Sequence, residues 1–181
     1  VPTPPTPQVL GLDLSLTGTG MSDGDRTWLI RSAGKKDDSL ATRTARLRKI
    51  RAEVVMHCEG AQLVVVEGPS YGTNSGHMHD RSGLWWLVVQ ALAHRGIAVA
   101  EVAPATLKKY ATGKGNGPKG AMIESAARRL PNVATCGDDN RADALWLHAI
   151  GLDHLSGLYV VPDSHRVALK SVRWPTIAVA S

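Results

Sequence analysis

Four carboxylates in this sequence stand where a carboxylate needs a reason. Asp13 falls within VLGLDLSL, where Leu10, Leu12, Leu14 and Leu16 alternate with Val9, Gly11, Asp13 and Ser15. A strand here turns its leucines to one face and Asp13 to the other. A carboxylate among strand leucines is costly to desolvate unless something cationic meets it. Glu67 closes the apolar run LVVVE, and Asp139 and Asp143 stand four apart around ADALWLHAI, on one face of a helix. Singly, each has a plain structural explanation: Asp138 or Asp139 suits a helix N-cap, and Glu67 can mark where a strand leaves the core. Jointly they suit another role. Carboxylates drawn to one point repel one another, and become favourable around hard divalent cations such as Mg²⁺. Two such ions about 4 Å apart activate a water and stabilise the leaving oxygen in an in-line attack on a phosphodiester.

The elements that must position these groups can be read from periodicity. Residues 8–33 form a meander of three antiparallel strands, with Gly, Ser and Thr turns in LSLTGTGMSDGDR. Residues 39–58 carry Leu40, Leu47, Ile50 and Val54 at helical spacing. Leu63–Val66 is apolar without alternation, as in a parallel strand buried on both faces. A Gly, Ser, Asn and His-rich loop follows to about Ser82, and then a helix over 83–95, whose LWWLVV stretch is apolar nearly all round and needs cover on more than one side. Ile97–Val102 is a short strand, and Pro104 opens a two-turn helix. TGKGNGPKG is a loop before a helix over 119–130, and a last helix spans 139–154. The order βββ-α-β-α-β-α-α gives an α/β fold with a mixed five-stranded sheet: an antiparallel three-strand meander continued by two parallel strands, flanked by helices. With the first strand beside the fourth, Asp13 and Glu67 become neighbours, and a late helix crossing that edge delivers Asp139 and Asp143 to the same point. The expected organisation is a Pro-rich tail at 1–8, one domain at 9–155, and an extension at 156–181 that forms a further strand or an ordered arm.

The 181 residues are 43% hydrophobic and 20% charged, which fits one soluble globular domain able to hold a core without staples. Two cysteines, no charged-plus-apolar leader and no apolar run near the roughly 20 residues of a membrane span point to a reducing cytoplasm and no membrane partner. The 21 Lys and Arg outnumber the 16 Asp and Glu, for a net charge of +5. That surplus is patched: residues 26–51 hold nine Lys and Arg against Asp37 and Asp38, and residues 108–129 hold six against Glu124. Patched positive charge favours a phosphate backbone as partner. An acidic pocket inside a basic protein then has a specific explanation in bound metal.

Taken in order, VLGLDLSLTGTG at 9–20, LVVVEGPS at 63–70 and DDNRADALWLHAIG at 138–151 resemble the RuvC-type Holliday-junction resolvases of the RNase H-like (retroviral-integrase) superfamily. The resemblance spans about 140 residues. It implies an RNase H-like nuclease domain in which Asp13 matches the first-strand metal-bridging aspartate, Glu67 the fourth-strand glutamate and Asp143 the aspartate of the ADAL helix. The family places its other acid or histidine three residues before that aspartate, where this chain has Asn140; Asp139, one residue earlier, is the expected fourth ligand and Asn140 its rival. The implied cofactor is Mg²⁺, two ions per site, with Mn²⁺ able to substitute. Tyr71 corresponds to an aromatic that wedges or stacks at the junction, one residue later than the family's pattern. Lys119, with Lys114 assisting, resembles a family lysine near the scissile phosphate, and Lys108 and Lys109 join the DNA-binding set.

The activity implied is a crossover junction endodeoxyribonuclease of recombination and repair: a homodimer, with LWWLVV as candidate interface, cutting four-way or branched DNA by paired hydrolysis. Its setting would be a bacterial cytoplasm, nucleoid-associated or bacteriophage-encoded. Two other functions share the same residues: a non-catalytic nucleic-acid-binding module of this fold, and a related nuclease acting on RNA. GLDLSLTGTG also resembles the phosphate-binding turn of actin-like ATPases and sugar kinases, but those need a second such domain, and 181 residues hold no second copy. GKGNGPKG is not a phosphate loop, since Pro118 and Gly120 flank Lys119 where Gly and Ser/Thr are required. His77 and His79 lack further nitrogen or sulfur ligands for zinc, and His148 is a packing residue.

Overall fold

The computed structural model describes residues 8–69, 77–118 and 120–177. Five strands, β1 (Val9–Asp13), β2 (Gly18–Ser22), β3 (Thr27–Arg31), β4 (Leu63–Glu67) and β5 (Ala98–Val102), form one sheet in the order β3-β2-β1-β4-β5. The β1–β2 and β2–β3 pairs are antiparallel, and the β1–β4 and β4–β5 pairs are parallel. The mixed sheet expected from the sequence is therefore present, with the meander continued by two parallel strands. Helices α1 (Leu40–His57) and α2 (Met78–His94) cover one face. The other face carries α3 (Pro104–Thr112), α4 (Ala121–Arg129) and α5 (Asp139–Ser156).

The absence of alternation in β4 has the expected cause. Leu63, Val64, Val65 and Val66 are all 0% exposed, because odd and even positions feed different cores. Leu63 and Val65 pack with Leu107, Tyr110, Leu145, Trp146 and Ile150. Val64 and Val66 pack with Leu10, Leu12, Ile50, Val54, Leu84 and Val88 on the opposite side.

Helix α5 approaches β1 and β2 closely because two strand positions lack a side chain. A Cβ on Gly11 would fall onto the carbonyl oxygen of Ala144, and one on Gly20 onto that of Asn140. These glycines let the helix backbone rest on the sheet. Asn140 adds a tie, its Nδ2 donating to the Gly18 carbonyl at 2.6 Å.

One segment differs from the sequence expectation. Helix α2 begins at Met78 rather than near 83, because Arg43 on α1 clamps Asp80 in its first turn through Nε (2.9 Å) and a second guanidinium nitrogen (2.5 Å). That partner lies 37 residues away, and the local Gly, Ser and His content conceals it. The C-terminal extension is an ordered arm packed on the domain. A short helix, α6 (Asp163–Arg166), leads into a 3₁₀ turn, and Arg173 bridges antiparallel to Glu101 at the β5 edge. Val161 and Ala168 join the α3–α5 core, and Trp174 stacks on His154 at 3.8 Å. Among the described residues, no helix is long and apolar enough to cross a membrane.

Candidate active site

The parallel register pairs Leu12 with Val66, so the next residues, Asp13 and Glu67, leave the sheet at the same edge. The turn after Asp13 is held by Thr19, fully buried, whose hydroxyl donates to the Ser15 carbonyl at 2.9 Å and accepts from the Ser15 N–H at 3.1 Å. The end of β4 is held by Trp85 of α2, whose Nε1–H donates to the Glu67 carbonyl at 3.0 Å. Over this edge α5 brings Asp143, one turn in from its start.

The carboxylates feel one another. Burial raises the Asp13 carboxyl well above its usual range, and the neighbouring Glu67, within hydrogen-bonding reach, raises it further. Burial and the Asp143 charge push Glu67 up to about 7, against opposing contributions from Asp13 and from the Lys108 ammonium. Asp143 is likewise pushed up to about 7 by burial, then by Asp13 and Asp139, with Lys108 again opposing. Without a cation, Asp13 and Glu67 therefore hold their protons to higher pH than ordinary carboxylates. Asp143 adds a second sign of incompleteness: its Oδ1 is buried and has no hydrogen-bond partner among the described residues.

The residues offered as a fourth ligand separate. Asn140 donates its side-chain Nδ2 to the Gly18 carbonyl, which ties α5 to β2. Asp138 is the α5 N-cap, its Oδ1 accepting from the Arg141 N–H at 3.1 Å, while its charge also bears on Asp13. Asp139 is exposed and bears on Asp143, as i, i+4 spacing places it. Capping was legible in the sequence; the bearing of Asp138 on Asp13 was not, because it needs the β1–α5 contact.

Lys108, read from the sequence as a backbone-binding residue, is half-buried and close enough to bear on both Glu67 and Asp143. Lys109 and Lys114 are exposed on α3 and the loop after it. Tyr71 and Lys119 lie outside the described residues. In the first basic block, Arg43 is committed to Asp80 and Arg46 to Ser32 and the Leu16 carbonyl, which leaves Lys35, Lys36, Arg48 and Lys49 among its exposed charges.

An all-oxygen set of this kind fits a hard divalent cation in donor chemistry: Asp13, Glu67 and Asp143 would hold it, with Asp139 at the rim. Among the described residues, no three His, Cys, Asp or Glu side chains are gathered closely enough to hold a metal as they stand. A cleft of about 190 Å³ opens beside Asp13 and Glu67. A larger cavity of about 510 Å³ lies at the other end of β1, between Gln8, Asp23, Glu59 and His148, away from the carboxylates. His148 packs there against Gly24.

This mixed sheet, with α5 laid across β1 and acids at the β1 and β4 ends, has the α/β fold of RuvC structures. No protein-family profile and no curated protein matches the sequence. Among solved structures the chain is similar to Thermus thermophilus RuvC, at 18% identity and a TM-score of 0.61 over 85% of this chain and 99% of that one. It is also similar to T. thermophilus RuvC in complex with a Holliday junction substrate, at 18% identity and 0.58 over 92% and 98%. The yeast mitochondrial Holliday junction resolvase Ydc2 matches at 12% identity and 0.51 over 86% and 84%.

Proposed function

We propose that this chain is a metal-dependent, structure-selective endonuclease that cuts four-way or branched DNA by phosphodiester hydrolysis. The observation that carries the reading is the approach of Asp13, Glu67 and Asp143, from three separate elements, to one edge of the sheet where, among the described residues, none has a cationic partner sufficient to neutralise it. The likeness in fold to RuvC structures, one of them in complex with a Holliday junction substrate, supports the choice of substrate.

Mg²⁺ bound to these carboxylates would supply Lewis-acid stabilisation of the phosphoryl oxygens and an activated water. The chain's own residues do the rest. Glu67 and Asp13 are fixed in register by the β1–β4 pairing, and the glycine-lined contact of α5 fixes Asp143 over them. Lys108 sets its positive charge beside the carboxylates, where it also attracts the substrate phosphate. Exposed lysines on α1, α3 and the following loop hold the DNA backbone without reading bases.

Paired cuts need two sites, which a two-fold homodimer provides. Helix α2 supports that arrangement: Leu84 and Val88 are spent in the core, whereas Trp86 is 65% exposed.

The test is cleavage of a labelled mobile four-way junction beside linear duplex, fork, R-loop and RNA-containing substrates, with and without Mg²⁺ or Mn²⁺. Preferential, metal-dependent cutting of the junction is expected, and Asp13→Asn should bind it without cutting. Equal cutting of linear duplex would point to a general nuclease, and binding with no cleavage under either metal to a non-catalytic module.

A further inference from the structure

We propose that the cleft beside the carboxylates is a subsite for one nucleotide flanking the scissile phosphate, with Trp85 and Met78 receiving its base and Arg81 its phosphate. The proposal rests on the nuclease reading above and adds to it a site for the neighbouring nucleotide. The cleft has Asp13 and Glu67 in one wall and Met78, Arg81, Ser82 and Trp85 of α2 in the other. A phosphodiester held at the carboxylates therefore has its next nucleotide directly against the first turns of α2.

The chemistry of that wall suits a nucleotide. Trp85 is held in place: its Nε1–H is committed to the Glu67 carbonyl at 3.0 Å, and the Trp86 ring meets it edge-on with centroids 4.9 Å apart. With its polar atom already satisfied, what Trp85 offers the cleft is apolar ring surface, which accepts any base by stacking. Met78, 56% exposed, is unbranched and polarizable and can adapt to a base of either size. Arg81 is exposed and makes no hydrogen bond or ion pair with another described residue. Its neighbour Asp80 is already closed onto Arg43. The Arg81 guanidinium is thus left for a phosphate, whose oxygens its planar fork matches. Asp80 and Arg81 divide the labour of the first turn, one fixing the helix and the other facing the cleft.

The experiment uses junctions with 2-aminopurine at the nucleotide immediately 5′ or 3′ of the bond the wild type cuts, or several nucleotides away. Binding is followed with the full-length Asp143→Asn chain, which leaves the lining of the cleft unaltered. One flanking position should lose fluorescence by about twofold or more on binding. That loss should disappear with Trp85→Leu and persist with Trp85→Phe, which keeps a ring, while the distant probe stays unchanged. Arg81→Ala should lower the slope of log affinity against log salt by about one, as for a single phosphate contact. Quenching absent from both flanking positions, or undiminished by Trp85→Leu, overturns the subsite while leaving the nuclease intact. A wild type that cuts no branched DNA overturns both readings.

Discussion

Helix α5 carries two aspartates ten residues apart, Asp143 half-buried and Asp153 buried, and they live in opposite circumstances. Asp153 is enclosed, its side chain 1% exposed, and every demand it makes is met. Arg166 of the arm donates to it through Nε and a second nitrogen, at 2.9 and 2.7 Å, and Tyr110 donates through its hydroxyl at 3.0 Å. The Arg166 guanidinium also lies over the Tyr159 ring at 3.7 Å. Among the described residues, Asp143 meets other acids and the partial help of Lys108, and its buried Oδ1 has no partner. The difference separates a carboxylate that fastens the fold from one that the proposed function assigns to a metal. Burial alone does not identify a functional acid; burial without a counter-charge does so far better.

Exchange of each aspartate for asparagine should break this contrast most sharply. Asp143→Asn is expected to abolish metal-dependent junction cleavage in a gel assay while leaving the melting temperature equal to or above that of the wild type, since it removes an uncompensated charge. Asp153→Asn should lower the melting temperature by roughly 5–10 °C, because Arg166 loses its partner, and leave cleavage per folded molecule within a few-fold. The reverse pattern would mean that the two sites have been assigned the wrong way round.

Divalent cation should then act on one site only. Mg²⁺ or Mn²⁺ is expected to raise the wild-type melting temperature by several degrees, to do the same for Asp153→Asn, and to leave Asp143→Asn nearly unmoved in differential scanning calorimetry.

A smaller effect follows from pH. Glu67 and Asp143 rise from ordinary values of 4.5 and 3.8 to about 7 in the metal-free fold, so between those limits the folded chain holds protons that the unfolded chain has released. Stability from these groups is fully present below about pH 4 and is lost as pH climbs through about 7. Metal-free wild type should therefore lose stability relative to Asp143→Asn between about pH 5 and pH 8, and saturating Mg²⁺ should remove the difference.

The smallest expected effect distinguishes the rim residues. Asn140→Ala should cost about 1 kcal/mol through the lost bond to Gly18 and leave cleavage close to normal. Asp139→Asn should weaken the Mg²⁺ dependence of cleavage with little change in stability.

The sequence carried the sheet because periodicity records burial. Alternation in β1 marked a strand whose two faces differ, and its absence in Leu63–Val66 marked the central parallel strand. The positions of Asp13 and Glu67 follow from that pairing. What stayed hidden depended on contacts far apart in sequence. The early start of α2 depends on Arg43, and the role of Arg166 depends on an aspartate at the far end of α5. Lys108 sits one residue from Lys109 with the same chemistry, and only the packing of α3 against α4 and α5 separates a charge that bears on the carboxylates from one facing solvent. The tie from Asn140 to the Gly18 carbonyl was equally closed to spacing arguments, since it joins residues far apart in the chain.

Gly11 and Gly20 have no reactive group, yet they set how far α5 stands from β1 and β2. A methyl group at either position meets backbone rather than a side chain that could swing aside. The distance from Asp143 to Asp13 is thereby written into main-chain contact. In a library of random variants screened for cleavage, these two glycines should be as intolerant as the acids themselves. Second-site revertants should be rare there, because no change of side chain elsewhere restores the lost separation.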